Sequence, residues 1–118
     1  MSFDATRIGR PQPAAPQLRA VARLTIKATP SERQVGTSFE LRGVEVLIGR
    51  SLDNTIVLND QDVSRCHARI VHRDSGDVIV DTDSANGTWV NGERVRERPL
   101  RKGDTILLGS TVIVYEPL

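Results

Sequence analysis

This chain of 118 residues has one cysteine, one tryptophan, one tyrosine and two phenylalanines. The lone thiol, Cys66, excludes an internal disulfide and agrees with a reducing compartment. The aromatic residues Phe3, Phe39, Trp89 and Tyr115 are scattered, so no stacking platform for single-stranded nucleic acid is present. No apolar run approaches membrane-spanning length, and the first residues lack the apolar core of a secretory signal. The expectation is a cytoplasmic chain with no membrane span. An excess of one charge is also missing. With 16 Lys+Arg against 15 Asp+Glu the net charge is +1, and nothing global calls for nucleic acid.

Catalytic patterns are missing too. No nucleophile–base pair or carboxylate pair stands out. His67 and His72 are five residues apart on one expected strand, so they point to opposite faces and cannot chelate together. Cys66 faces away from His67 by the same alternation, which excludes a Cys–His nucleophile pair and makes Cys66 a small buried hydrophobe. No catalytic residue, metal or cofactor is expected.

The charges that exist are unevenly placed. Residues 1–24 hold Arg7, Arg10, Arg19 and Arg23 against Asp4 alone, a balance of +3, which leaves −2 for the remainder. Pro11, Pro13 and Pro16 punctuate the same region. Such a composition does not bury enough apolar surface to offset its ordering entropy, so residues 1–19 read as a flexible basic tail and 20–118 as one domain.

Within that domain, Ala20–Ala28 alternates, with Ala22, Leu24 and Ile26 opposing Val21, Arg23, Thr25 and Lys27, the pattern of a strand with one wet face. Further strands are expected over 36–41, 44–49, 55–58, 68–72, 78–81, 88–90, 105–108 and 111–115. Asp74-Ser75-Gly76-Asp77 is read as a hairpin turn and Asn91-Gly92 as a type I′ turn. Turn signals recur about every ten residues and no helical window intervenes, which predicts an all-β sandwich or barrel.

The chain is organised around Ser64 to Gly92. That stretch opens with Ser64-Arg65-Cys66-His67 and closes with Asn86-Gly87-Thr88 and Asn91-Gly92, and between these lie two runs rich in Ile and Val. Together with Gly49-Arg50, Ser84-Ala85-Asn86 and Leu100-Arg101-Lys102-Gly103-Asp104-Thr105, these motifs resemble the forkhead-associated (FHA) domain family over roughly residues 22–117. Four motifs in the right order carry the resemblance. It implies two twisted, mostly antiparallel sheets of about 11 strands, no catalysis, and phosphothreonine-peptide binding through loops at one end.

The resemblance assigns the main phosphate contact to Arg50, a second to Ser64 and a neighbouring one to Arg65, and gives Asn86 the peptide backbone beside the phosphothreonine. Gly49, His67, Gly87, Thr88 and Asn91 become loop supports. The chemistry agrees: a guanidinium fork suits phosphate bidentately, and a hydroxyl adds a neutral donor. Each motif also has a plain reading: a surface arginine ending a strand, a turn serine, a tight Asn-Gly turn. Ala85 departs from the family, which often has a hydroxyl residue there.

The function expected is a phosphothreonine-dependent binding module in Ser/Thr kinase signalling, with a phosphothreonine protein or peptide, a Ser/Thr kinase or that kinase's substrates as partners. The alternative is a phospho-independent scaffold domain docking a protein through its sheet surface. Arg94, Arg96 and Arg98 fall on one face of an extended segment and read as a solvated edge that discourages aggregation. Thr6 is a phosphorylation candidate whose tail could fold back on the site, although threonines are common in flexible leaders.

Overall fold

The computed structural model describes residues 20–118. The expected tail over 1–19, with Thr6, lies outside the described residues. Eleven strands run in chain order: β1 Ala20–Ala28, β2 Ser38–Arg42, β3 Glu45–Gly49, β4 Ile56–Val57, β5 Ala68–Arg73, β6 Gly76–Asp81, β7 Thr88–Val90, β8 Glu93–Val95, β9 Glu97–Pro99, β10 Thr105–Leu108 and β11 Thr111–Pro117. Their order is β2-β1-β11-β10-β7-β8 in one sheet and β4-β3-β5-β6-β9 in the other. Every pair is antiparallel except β3–β4, where Ile48 lies beside Ile56. The fold is the expected two-sheet sandwich.

Alternation builds the core. Ala22, Leu24 and Ile26 of β1 are fully buried, with Tyr115 and Ile113 of the adjacent β11 beside Leu24 and Ile26, and Ile48, Ile70 and Ile79 of the opposite sheet belong to the same core cluster. Each such aliphatic side chain contributes about 1.5–3 kcal/mol on burial. The chain ends of this layer then set where loops gather. β3 and β6 finish, and β5, β7 and β11 begin, at one end of the sandwich, so residues 50–55, 59–67, 82–87 and 109–110 collect there.

Three sequence readings are corrected. The hairpin turn after β5 is Asp74-Ser75 alone: Gly76 and Asp77 belong to β6, and Asp77 is buried. Residues 93–99 form two strands that were not expected. β8 pairs with β7 in the first sheet and β9 with β6 in the second, so the chain changes sheets at Arg96. Arg94, Arg96 and Arg98 therefore do not share one solvated face, and Arg98 is half-buried within 3.8 Å of Glu93. Finally, Cys66 is exposed, not buried. It precedes β5, so strand alternation never applied to it. Asn91-Gly92 matches expectation, with φ of 52° and 86°.

A polar clamp joins the sheets at the end away from the gathered loops. The Tyr115 hydroxyl donates to Asp77 Oδ2 at 2.5 Å, and Asp77 Oδ1 lies 2.8 Å from His72 Nδ1. Burial first, and then the hydrogen bond to Asp77, push the Tyr115 phenol well above its ordinary pKa. Replacing Tyr115 with Phe leaves one buried carboxylate oxygen unpaired. The expected cost is about 1–3 kcal/mol, read as a lower urea midpoint at unchanged slope.

Candidate functional site

The gathered loops are fastened to one another by backbone. Arg50 N donates to Ser64 O at 3.0 Å and Ser51 N to Arg65 O at 3.2 Å. Asn54 Nδ2 bridges Ser51 O and Arg65 O at 2.8 and 2.7 Å. The contact requires Gly49: a Cβ there would sit 2.1 Å from the Arg65 carbonyl oxygen. A side chain at 49 would drive the 50–55 and 64–67 loops apart, which explains the Gly-Arg pair without invoking backbone freedom.

His67 lies at the centre of the cluster and is fully buried. Its Nδ1 accepts from Ser64 N–H at 3.0 Å. That fixes the proton on Nε2, which donates to Gly87 O at 2.8 Å. One ring thus ties the loop before β5 to the loop before β7, across the two sheets. The reactive-looking residue is committed at both nitrogens.

Ser64 Oγ accepts from Ala85 N at 3.0 Å. Ser64 is partly exposed, and its own proton remains to be donated elsewhere. The exposed Arg50 anchors Nε on Val63 O at 3.0 Å, which holds the stem while its terminal nitrogens make no ion pair among the described residues. Arg65 is exposed beside it and is likewise outside any ion pair among the described residues. Asn86 Nδ2 donates to Asp62 O at 2.7 Å, and Asn86 O accepts from the Trp89 indole at 3.1 Å. These bonds hold the Asn86 side chain in place while Oδ1 has no partner among the described residues.

Of the nine residues singled out from sequence, eight fall in this cluster: Gly49, Arg50, Ser64, Arg65, His67, Asn86, Gly87 and Thr88. Asn91 does not. It sits at the opposite end of β7, where Nδ2 donates to Asp104 Oδ1 and Oδ1 accepts from Thr105 N, both at 2.9 Å. The loop it supports is the 101–104 turn.

Three supporting residues, Asp81, Ser84 and Asp60, were given no role by the sequence reading, although Ser84 stands in one of its motifs. Asp81 Oδ1 accepts from the Ser84 and Thr88 hydroxyls at 2.5 and 2.7 Å, and Oδ2 accepts from Ser84 N at 3.1 Å. Ser84 Oγ in turn accepts from Gly87 N at 3.0 Å. The Asp81-to-Ser84 spacing, three residues after a strand, is the one signal for this turn that sequence contains. Asp60 is buried and holds the 59–62 loop onto β11. Its Oδ2 accepts from Ser110 N and Thr111 Oγ1 at 2.9 and 2.7 Å, and its Oδ1 from Asp62 N at 2.9 Å. Within Asn59-Asp60-Gln61-Asp62 it looks like any solvated acid.

Burial alone would raise the Asp81 carboxyl. The hydrogen bonds from Ser84 and Thr88 outweigh it and hold the group below its ordinary value of 3.8. A depressed folded pKa contributes stability that is complete above the ordinary value and is lost as pH falls through the folded one. Asp81→Asn is therefore expected to destabilise the protein at pH 7 by about 1–3 kcal/mol. Urea midpoints of the two proteins should converge as pH drops below 3.8.

The cluster is a surface, not a cavity. A depression of about 440 Å³ lined by Asp81, Asp83, Ser84, Arg94, Val95 and Arg96 lies beyond the 82–87 loop, and neither Arg50 nor Ser64 enters it. Among the described residues no group of three or more His, Cys, Asp or Glu is placed to hold a metal ion. No helix among them is long and apolar enough to cross a membrane.

Comparison with known proteins follows this geometry. A family model described as the FHA domain matches residues 46–109. The chain is 42% identical over 76 residues to the ABC transporter ATP-binding/permease protein Rv1747 of Mycobacterium tuberculosis, covering 64% of this chain and 9% of that one. It is 34% identical over 92 residues to an oxoglutarate dehydrogenase inhibitor of Corynebacterium diphtheriae, covering 78% of this chain and 62% of that one. The chain thus spans less than two thirds of either relative. A structure solved for the study of phosphothreonine-dependent FHA domain interactions superposes with a TM-score of 0.73 at 32% identity. That match covers 81% of this chain and 95% of the other.

Proposed function

Because the chain belongs to the FHA domain family, we propose that its loop cluster is a phosphothreonine-peptide site and that the protein serves as an adaptor or regulator in Ser/Thr kinase signalling. The observation that carries this reading is the set of donors that the loops leave facing outward. Arg50 offers the terminal nitrogens of a guanidinium whose Nε is held by Val63 O, Arg65 lies exposed outside any ion pair among the described residues, and Ser64 offers the proton of a hydroxyl that accepts from Ala85 N–H. Phosphothreonine brings up to about two negative charges and three acceptor oxygens. Two cations and a neutral donor on fixed backbone match that demand.

Asn86 supplies orientation. Its Oδ1 accepts from a peptide N–H beside the phosphothreonine while Nδ2 stays on Asp62 O. Gly49, His67, Gly87 and Thr88 act indirectly, by keeping the donors at fixed separation. Ala85 costs the site one hydroxyl, and its backbone N–H takes over a different task, orienting Ser64. The partner is a phosphothreonine-bearing protein: a Ser/Thr kinase or one of its substrates in the cytoplasm. The protein acts by binding and not by catalysis. The solved structure described above comes from a study of phosphothreonine-dependent FHA domain interactions, which supports the same reading.

The test is a titration of phosphothreonine peptides followed by Trp89 fluorescence, because the indole is bonded to Asn86 O. Arg50→Ala is expected to weaken binding by at least tenfold, the scale of about 1.5–3 kcal/mol for a charge-assisted bond. Arg50→Lys should restore only part of it. Equal affinity of wild type and Arg50→Ala, or equal binding of the dephosphorylated peptide, would sink the proposal.

A further inference from the structure

Leu52 is 88% exposed, the most exposed of the large aliphatic residues described. It stands two residues after Arg50, on a turn whose other members are fixed. Ser51 N is bonded to Arg65 O, Asp53 N to Ser51 Oγ at 3.4 Å, and Asn54 reaches both Ser51 O and Arg65 O through its side chain. The turn therefore holds Leu52 in water at the lip of the loop cluster. On a mobile tip an aliphatic residue would have no fixed position to offer a ligand. Here the turn is pinned by five hydrogen bonds, counting Asn54 N to Ser51 O at 3.2 Å, and Leu52 contributes packing to none of the core.

Isolated exposed leucines are ordinary on protein surfaces. The position of this one matters because of what stands around it. Every other side chain on the 50–54 turn is polar or charged and has an internal bond to make or a phosphate to meet. The remaining rim residues Arg65, Asp83 and Asn86 are polar. Ala85 adds only an exposed methyl group. The site thus has ample charge for a phosphate but a single large exposed aliphatic side chain, two residues after Arg50. Two residues of extended chain reach about 7 Å. A peptide anchored by its phosphothreonine on Arg50 would carry its immediate neighbours within the same distance.

We infer that Leu52 is a specificity contact for the bound peptide, packing on an aliphatic side chain within two residues of the phosphothreonine. This rests on the phosphothreonine reading above and adds the chemistry of the neighbouring residue. The contact is non-directional and dry on one side only, so its effect is modest next to that of Arg50. It sorts phosphothreonine peptides among themselves and leaves recognition of the phosphate to the arginines.

The test uses a phosphothreonine peptide flanked by serines, and four others carrying one leucine at the first or second position before or after the phosphothreonine. Binding of each is measured by calorimetry to wild type, Leu52→Ser, Leu52→Met and Arg50→Ala. At one of the four positions leucine should raise wild-type affinity by about tenfold. Leu52→Ser should erase that gain, Leu52→Met should keep most of it, and both variants should bind the serine-flanked peptide as wild type does. Leu52 is too exposed for its loss to disturb folding, and thermal unfolding of Leu52→Ser should match wild type. Indifference of wild type to all four leucines overturns the inference, as does Leu52→Ser weakening the serine-flanked peptide equally. Failure of wild type to bind any of the peptides, or unaltered binding by Arg50→Ala, overturns the phosphothreonine reading and the inference with it.

Discussion

Everything at the loop end of this sandwich depends on one buried ring. His67 has no exposed surface, so its two nitrogens must be satisfied from within, and a buried polar atom left unpaired costs about 1–3 kcal/mol. They are satisfied asymmetrically: Nδ1 accepts from Ser64 and Nε2 donates to Gly87. Only a neutral imidazole can play both parts. The ring therefore reads the direction of each backbone group as well as its distance, and fixes the Ser64 and Gly87 loops relative to each other.

The second constraint is electrostatic. Carboxylates weaken a surface meant for anions, and the gathered loops with the end of β6 carry Asp53, Asp60, Asp62, Asp81 and Asp83. Asp53 and Asp83 stay exposed at the rim, whereas the other three are committed to internal bonds. Asp81 accepts three and Asp60 three more, from loop amides and hydroxyls and from Thr88 and Thr111 at the starts of their strands. Asp62 gives its main-chain oxygen to Asn86 and its carboxylate to Ser110. Each of these three charges is thereby screened by dipoles aimed at it, while Arg50 keeps its fork outward by hanging from Val63 O through Nε. The loops are held by the acids so that the bases can face water.

How much of this was legible in the sequence follows from the range of the forces involved. Alternation along β1 named Ala22, Leu24 and Ile26 as one face because side-chain direction in a strand is local. The Asn91-Gly92 turn was legible for the same reason. Eight of the nine residues singled out by motif resemblance fall in one loop cluster, because a resemblance carries spatial information that periodicity lacks. Two of the missed features depend on contacts distant in sequence. Asp77 looked like a turn residue because its partner Tyr115 is 38 residues away. Asp60 looked solvated because Thr111 is 51 residues away. β8 and β9 are three residues each, too short for any period to show, and their charged sequence is tolerated because both lie at sheet edges.

Burial of Cys66 was wrongly inferred from strand alternation that begins only at Ala68, and the error bears on the site itself. The residues from Ser64 to Cys66 are not a frayed strand end. They are a loop whose shape comes from side-chain and backbone bonds, with Thr82 Oγ1 holding Cys66 O at 2.8 Å and Asn54 holding Arg65 O. A site built on such a loop needs no enclosing cavity, since its donors are pre-positioned and lose little freedom when an anion arrives. The same openness limits what it can recognise. On the proposed reading a phosphate would meet the fixed donors, whereas the residues flanking it would meet only the rim, where few side chains stand.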